Sequence, residues 1–169
     1  DSHLRGVAFD SQGNLYAYAS GCKYIYKIDI SEGTAEKLTE ISDSIWRMQC
    51  DGNTLMCVTS EKVFLYDLEE KSFVEDETLD SFVEENCSDM AWTGAWYMTY
   101  PFLGEDNTIY IAGGKGLYRH VIGGSAVEQV IDGGLSSLGA PSHIIMAMMA
   151  NDQNEFLTVY SDNKFVKFT

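Results

Sequence analysis

The amino-acid sequence predicts an all-β fold, a β-propeller of about four blades with four antiparallel strands each, and three observations lead there. A strand, tight turn, strand unit recurs four times, first as Gly6-Val-Ala-Phe-Asp-Ser-Gln-Gly-Asn-Leu-Tyr-Ala-Tyr18. The first apolar residue after each turn, Leu15, Leu55, Ile109 and Phe156, returns at steps of 40, 54 and 47 residues, which is the blade period of radially repeated sheets. The runs between turns are short and rich in Tyr, Val, Ile and Phe, suited to half-buried pleated surfaces. A β-sandwich, the rival all-β solution, would not space its turn signals so evenly.

The elements follow in order along a single partial propeller spanning residues 1–169. The first blade, 4–42, takes the Gly6 to Tyr18 hairpin, a third strand from Tyr24 to Ile30 and a fourth from Ala35 to Ile41. The second, 43–80, takes Ile45 to Val58, Val63 to Leu68 and Phe73 to Leu79. Residues 80–95 read as an insertion loop that accounts for the 54-residue step. The third blade, 90–132, takes Trp96 to Ile111, Leu117 to Ile122 and Ala126 to Ile131. The fourth, 142–169, takes Ile144 to Val159 and Phe165 to Phe168, and lacks an outer strand. An open ring leaves unpaired edges and bare apolar faces. The expectation is therefore that these blades belong to a larger ring or are completed by another chain, a homodimer through open propeller edges being one route.

The chain has 169 residues, with 11 Lys and Arg against 26 Asp and Glu, a formal charge of −15. That balance disfavours nucleic acid and anionic lipid as partners, because attraction to phosphate dominates such affinities. No apolar run approaches the roughly 18 residues a spanning helix requires, so direct membrane insertion is not expected. Cys22, Cys50, Cys57 and Cys87 admit three pairings, yet a core of this size needs none, and free thiols are the expectation. No CxxC or CxxH spacing marks a zinc site, and no metal or cofactor is expected. Gly113-Gly-Lys-Gly116 is a hairpin turn rather than a phosphate loop, since neither Ser nor Thr nor a helix follows the lysine.

Some stretches carry wording as well as shape. Leu15 to Leu38, with Ile-Tyr-Lys-Ile-Asp-Ile-Ser at its centre, is similar to YVTN and quinoprotein-like propeller repeats. Gly116 to Gly139, with Phe64-Leu-Tyr-Asp-Leu68 and Glu155 to Thr169, resembles the N-terminal propeller region of extracellular solute-binding lipoproteins of sugar-type ABC importers in gut Firmicutes. That resemblance implies a module on a lipid-anchored, extracellular cell-surface protein, preceding a solute-binding domain that the full-length chain would carry with the rest of the propeller.

Comparison of the repeats singles out two sets of residues. Lys23, Lys62, Lys115 and Lys164 sit in or beside the turn between second and third strands, where they would form a ring on one propeller face and attract an anionic ligand or acidic segment. The plainer account is that lysine suits exposed turns and offsets carboxylates such as Asp29 and Asp67. The links into the innermost strands carry His3, Arg5, Trp46, Arg47, Trp92, Trp96, Tyr97 and His143, around the expected channel mouth. Exposed aromatics there would stack on a sugar or peptide side chain, though Trp is also a common filler between blades. Catalysis finds little support: His3, His120 and His143 are the only histidines, and no nucleophile elbow or HExxH occurs. The functional expectation is a non-enzymatic module binding a carbohydrate or peptide ligand or a protein partner. A propeller hydrolase or lactonase with a channel metal is one alternative, and an intracellular WD-repeat-like scaffold is the other.

Overall fold

The computed structural model describes residues 3–19, 21–59, 62–87, 101–113, 116–132, 145–150, 156–160 and 165–168. Residues 1–75 and 76–169 form two compact units.

In the first unit, β1 (Leu4–Phe9), β2 (Leu15–Ala19), β3 (Tyr24–Asp29) and β4 (Thr34–Glu40) make one antiparallel sheet in chain order. A second sheet of the same order holds β5 (Arg47–Asp51), β6 (Thr54–Val58), β7 (Val63–Asp67) and β8 (Ser72–Val74). Turn chemistry sets the register. The Asp10 carboxylate accepts hydrogen bonds from the amides of Gln12 and Asn14, the Asn14 side-chain amide and the Tyr16 hydroxyl. The β5–β6 hairpin pairs Asp51 with Thr54, with Gly52 at φ 52°, the first central position of a two-residue turn that needs positive φ.

The turns closing β3–β4 and β7–β8 repeat one design. Asp29 accepts from the amides of Ser31 and Glu32, and Asp67 from those of Glu69 and Glu70. Four residues after each aspartate the backbone turns left-handed, at Gly33 (φ 64°) and at Lys71 (φ 54°). Glycine meets no steric cost there, whereas lysine does. Lys71→Gly relieves about 1–2 kcal/mol of left-handed strain against the entropy a glycine adds to the unfolded chain, so stability should rise by about 0.5–1 kcal/mol, read as a higher urea midpoint at unchanged slope; a fall in the midpoint would refute the account.

The first strands β1 and β5 lie against each other, as innermost strands of adjoining blades do. The core between the two sheets joins Ala8, Tyr16, Tyr18 and Ile25 of the first to Met48, Leu55, Cys57 and Tyr66 of the second, with Ile41 and Ile45 from the link. Both faces of the second sheet are buried, Leu55 and Cys57 on one, Met56 and Val58 on the other, by the alternation of a strand. The first sheet is different. Its other face leaves Val7 and Phe9 of β1 exposed.

In the second unit, β9 (Phe102–Leu103), β10 (Thr108–Gly113), β11 (Gly116–Val121) and β12 (Val127–Asp132) pair consecutively, as do β13 (Ile145–Ala150), β14 (Phe156–Tyr160) and β15 (Phe165–Phe168). Asp106 and Asn107 both have φ 56°, and the Thr108 amide donates to the Glu105 carbonyl; this is a type I′ hairpin turn, which favours Asn and Asp. A bulge falls at the same repeat position in two sheets, between Ile25 and Tyr26 and between Leu117 and Tyr118.

One expected element is corrected. The strand expected from Phe73 to Leu79 ends at Val74, and the chain turns into helix α1 (Glu77–Cys87), so the first residues of the expected insertion loop 80–95 are helical. Asp76 caps the helix by accepting from the Leu79 amide, acidic residues fill the first turn, and Leu79 and Val83 are buried four residues apart on one face. These are ordinary helix-start and helix-face signals, and they prevail over the strand suggested by the apolar ends Phe73, Val74 and Leu79 of that stretch.

Candidate functional site

A candidate binding site among the described residues lies at one end of the first unit, where the turn between β2 and β3 meets the link from β4 to β5. The Ile41 amide donates to the Lys23 carbonyl and the Lys23 ammonium to the Ser42 carbonyl at 2.6 Å, which ties turn to link. The Trp46 amide donates to the Val58 carbonyl, and the Trp46 carbonyl accepts from the Tyr18 hydroxyl at 2.7 Å. Gly6 makes room for this arrangement: a Cβ there would meet the Tyr18 ring at 2.5 Å. The main chain of Trp46 is thus held while its indole, 57% exposed, faces solvent.

Beside it lies Arg5. The β1–β2 register passes from Leu4 opposite Ala19 to Gly6 opposite Tyr18, so Arg5 is the extra residue of a bulge, a device that re-aims a side chain. Arg5, Gly21, Ser44, Ile45 and Trp46 line one pocket of about 200 Å³. Burial pushes the Tyr18 hydroxyl pKa up, with the positive charges of Arg5 and Arg47 opposing it, so both guanidiniums lie within electrostatic reach of that hydroxyl. In this acidic chain several cations hold glutamates: Lys37 with Glu40, Lys62 with Glu75 and Arg119 with Glu128. Arg5 and Lys23 hold no carboxylate among the described residues.

The sequence-derived candidates divide accordingly. Trp46 lines the pocket and Lys23 braces its wall. Arg47 is half-buried on β5 opposite Val58. Lys62 occupies the corresponding turn of the second sheet, 3.3 Å from Glu75 and over the Phe64 ring. Asp29 and Asp67, expected as lysine partners, instead cap their own turns. Trp92, Trp96, Tyr97, Lys115, His143 and Lys164 lie outside the described residues. Arg5 belongs in the site more firmly than the flanking lysines. Its signal in the sequence was its place just before the paired part of an innermost strand, the place Trp46 takes in the next repeat.

A second polar cluster, in the second unit, was missed as such. His120 is 1% exposed. Its Nε2 lies 2.8 Å from Asp76 Oδ2 and its Nδ1 2.8 Å from the Ala126 carbonyl. Both partners are acceptors, so a ring nitrogen meets its partner when it carries a proton. Asp76 also accepts from the Gly123 and Leu79 amides. Burial would raise its pKa, but those bonds and His120 outweigh burial and hold it below the usual carboxylate value. With each polar atom committed, the pair joins the helix cap to the third sheet rather than presenting a base to a substrate.

Among the described residues no three His, Cys, Asp or Glu side chains gather as a metal site. Cys22, Cys50 and Cys57 are free thiols. Burial pushes the Cys50 pKa up to about 11, with Asp10 and Asp51 adding to it, and raises that of Cys57 as well. Neither is a ready nucleophile. The arrangement that remains, a guanidinium, an open indole and a hydroxyl around a small pocket, can bind.

No protein-family profile and no curated protein sequence matches the chain. Solved structures do. The extracellular domain of the putative one component system BT4673 from B. thetaiotaomicron aligns with 99% of this chain at 14% identity and a TM-score of 0.64. YCF48 bound to D1 peptide aligns with 98% at 14% identity and 0.62, and the β-propeller domain of Cps50 (Swd1) from Myceliophteria thermophila with 98% at 13% and 0.60. The chain spans 20% of the first of these, 51% of the second and 53% of the third. With its consecutive four-stranded sheets, it has the fold of a partial β-propeller.

Proposed function

We propose that this chain is a non-enzymatic binding module, a run of propeller blades in a bacterial cell-surface protein, that holds a protein or peptide partner at the pocket beside Trp46. The observation that carries the reading is the exposed indole on a fixed backbone, next to a guanidinium that holds no carboxylate among the described residues. Aromatic and arginine side chains of this kind dominate protein interfaces when a partner covers them. The fold supports the class of function, since YCF48, similar in fold, is bound to a peptide. An extracellular setting draws support from the likeness to the BT4673 domain. The further placement, as an accessory platform of a lipid-anchored solute-binding protein of an ABC importer, rests on the resemblance of Gly116 to Gly139 and its companion stretches.

The test is selection of peptides from a random display library on the chain, followed by calorimetric titration of the selected peptides. Trp46→Ala should weaken binding at least about tenfold while leaving the thermal midpoint unchanged. Selected peptides that bind Trp46→Ala as well as they bind the original chain would refute the site.

A further inference from the structure

Resting on that reading, we infer that the pocket recognises an acidic peptide segment, with Arg5 as the residue that takes the carboxylate and Trp46 as the surface that takes the adjoining apolar side chain. The net charge of −15 makes this unexpected at first sight. At physiological salt, however, charges act over only about 8 Å, so the local set decides. Among the described residues here, cations outnumber carboxylates: Arg5 lines the pocket, the charge of Arg47 reaches the Tyr18 hydroxyl, and Lys23 sits on the adjoining turn. Asp43, the carboxylate of the link, turns back to accept from the Ser44 amide.

The lining also separates a peptide from a sugar. Hydroxyl-rich rings are held by several side-chain amides and carboxylates around an aromatic floor. Among the described residues the lining side chains are one guanidinium, one hydroxyl (Ser44), the apolar Ile45 and the indole, and Gly21 contributes no side chain. That set matches a carboxylate followed by an apolar group. The pocket is small, about 200 Å³, room for a single side chain or a chain terminus, so the rest of the segment would lie along the link and the β2–β3 turn. The bulge matters because it is what places Arg5 here: a regular β1 would continue the pairing of Gly6 with Tyr18 and carry no residue out of register.

The experiment uses the chain with 5-fluorotryptophan incorporated, the Trp46 signal being assigned by its loss in Trp46→Phe. The probes are hexaglutamate, hexaglutamine, hexalysine and glucuronate, titrated at physiological salt. Hexaglutamate should shift the Trp46 signal with a dissociation constant below about 1 mM and bind at least about tenfold more tightly than hexaglutamine. Arg5→Gln should erase that difference, leaving the thermal midpoint and the free Trp46 signal in place. Equal binding of hexaglutamine or glucuronate, tighter binding of hexalysine, or undiminished binding of hexaglutamate to Arg5→Gln would overturn the acidic preference while keeping Trp46 as a binding site. No shift of the Trp46 signal by any probe up to about 5 mM would overturn the acidic preference and, with failure of the library selection, the site itself.

Discussion

Asp76→Ala is expected to destabilise the second unit by about 3–5 kcal/mol, the summed cost of leaving several buried hydrogen-bonding groups without their acceptor. Three donors lose their acceptor at once: the Leu79 amide that opens α1, the Gly123 amide in the turn before β12, and the His120 imidazole. Guanidinium denaturation at neutral pH, followed by circular dichroism, checks the size. Replacing both partners with apolar groups, Asp76→Leu with His120→Leu, should cost less than the sum of the single changes, because neither change then strands the other partner. Strict additivity would show that the two side chains do not act as a pair. The pH dependence has a definite sign. A carboxylate whose folded pKa lies below its unfolded value, about 3.9, contributes stability that is full above that value and is lost as pH falls through the lower folded value. The acid limb of the stability curve below about pH 4 should therefore be shallower in Asp76→Ala.

Leu55→Ala carries the second large effect, about 2–5 kcal/mol. Leu55 is 0% exposed and lies in the core that joins the two sheets of the first unit. Its truncation removes methyl groups from packing and leaves a cavity that two hydrogen-bonded sheets cannot close up. Phe9→Ala provides the contrast. Although phenylalanine is the larger side chain, it is 56% exposed on the opposite face of the first sheet, and its loss should cost under about 1 kcal/mol. Urea midpoints of the two variants decide between burial and residue size: equal shifts would mean that the first sheet is not open on the Phe9 side.

How much was legible in the sequence depended on range. Turn residues act on their neighbours, so the turn after Asp10 and its counterparts in the other repeats were legible, and the spacing of Leu15 and Leu55 announced equivalent strands. The helix after Val74 was obscured because the apolar residues Phe73, Val74 and Leu79 flank an acidic run, Glu75 to Glu77, that shows neither period; the cap at Asp76 is what marks the helix start. His120 falls within the expected third strand of its blade, Leu117 to Ile122. Its position matches Ile28 and Tyr66 in the other repeats, each opposite the first apolar residue after the turn. A histidine in an apolar repeat position was the available signal, but its partner lies 44 residues away, beyond any local pattern. Arg5 and Trp46 were recognisable as residues before innermost strands. That Arg5 is the extra residue of a bulge and holds no carboxylate among the described residues, while Lys62 does, depends on contacts that spacing does not encode.

The consecutive order of strands within every sheet has a kinetic corollary. Each strand pairs with the strand that immediately precedes or follows it, so the chain closes only short loops to form a sheet, and little entropy is spent before contacts repay it. Nucleation can then start in any one sheet and spread to its neighbour, as in other modular chains, giving refolding faster than all-β proteins whose strands pair across long sequence distances.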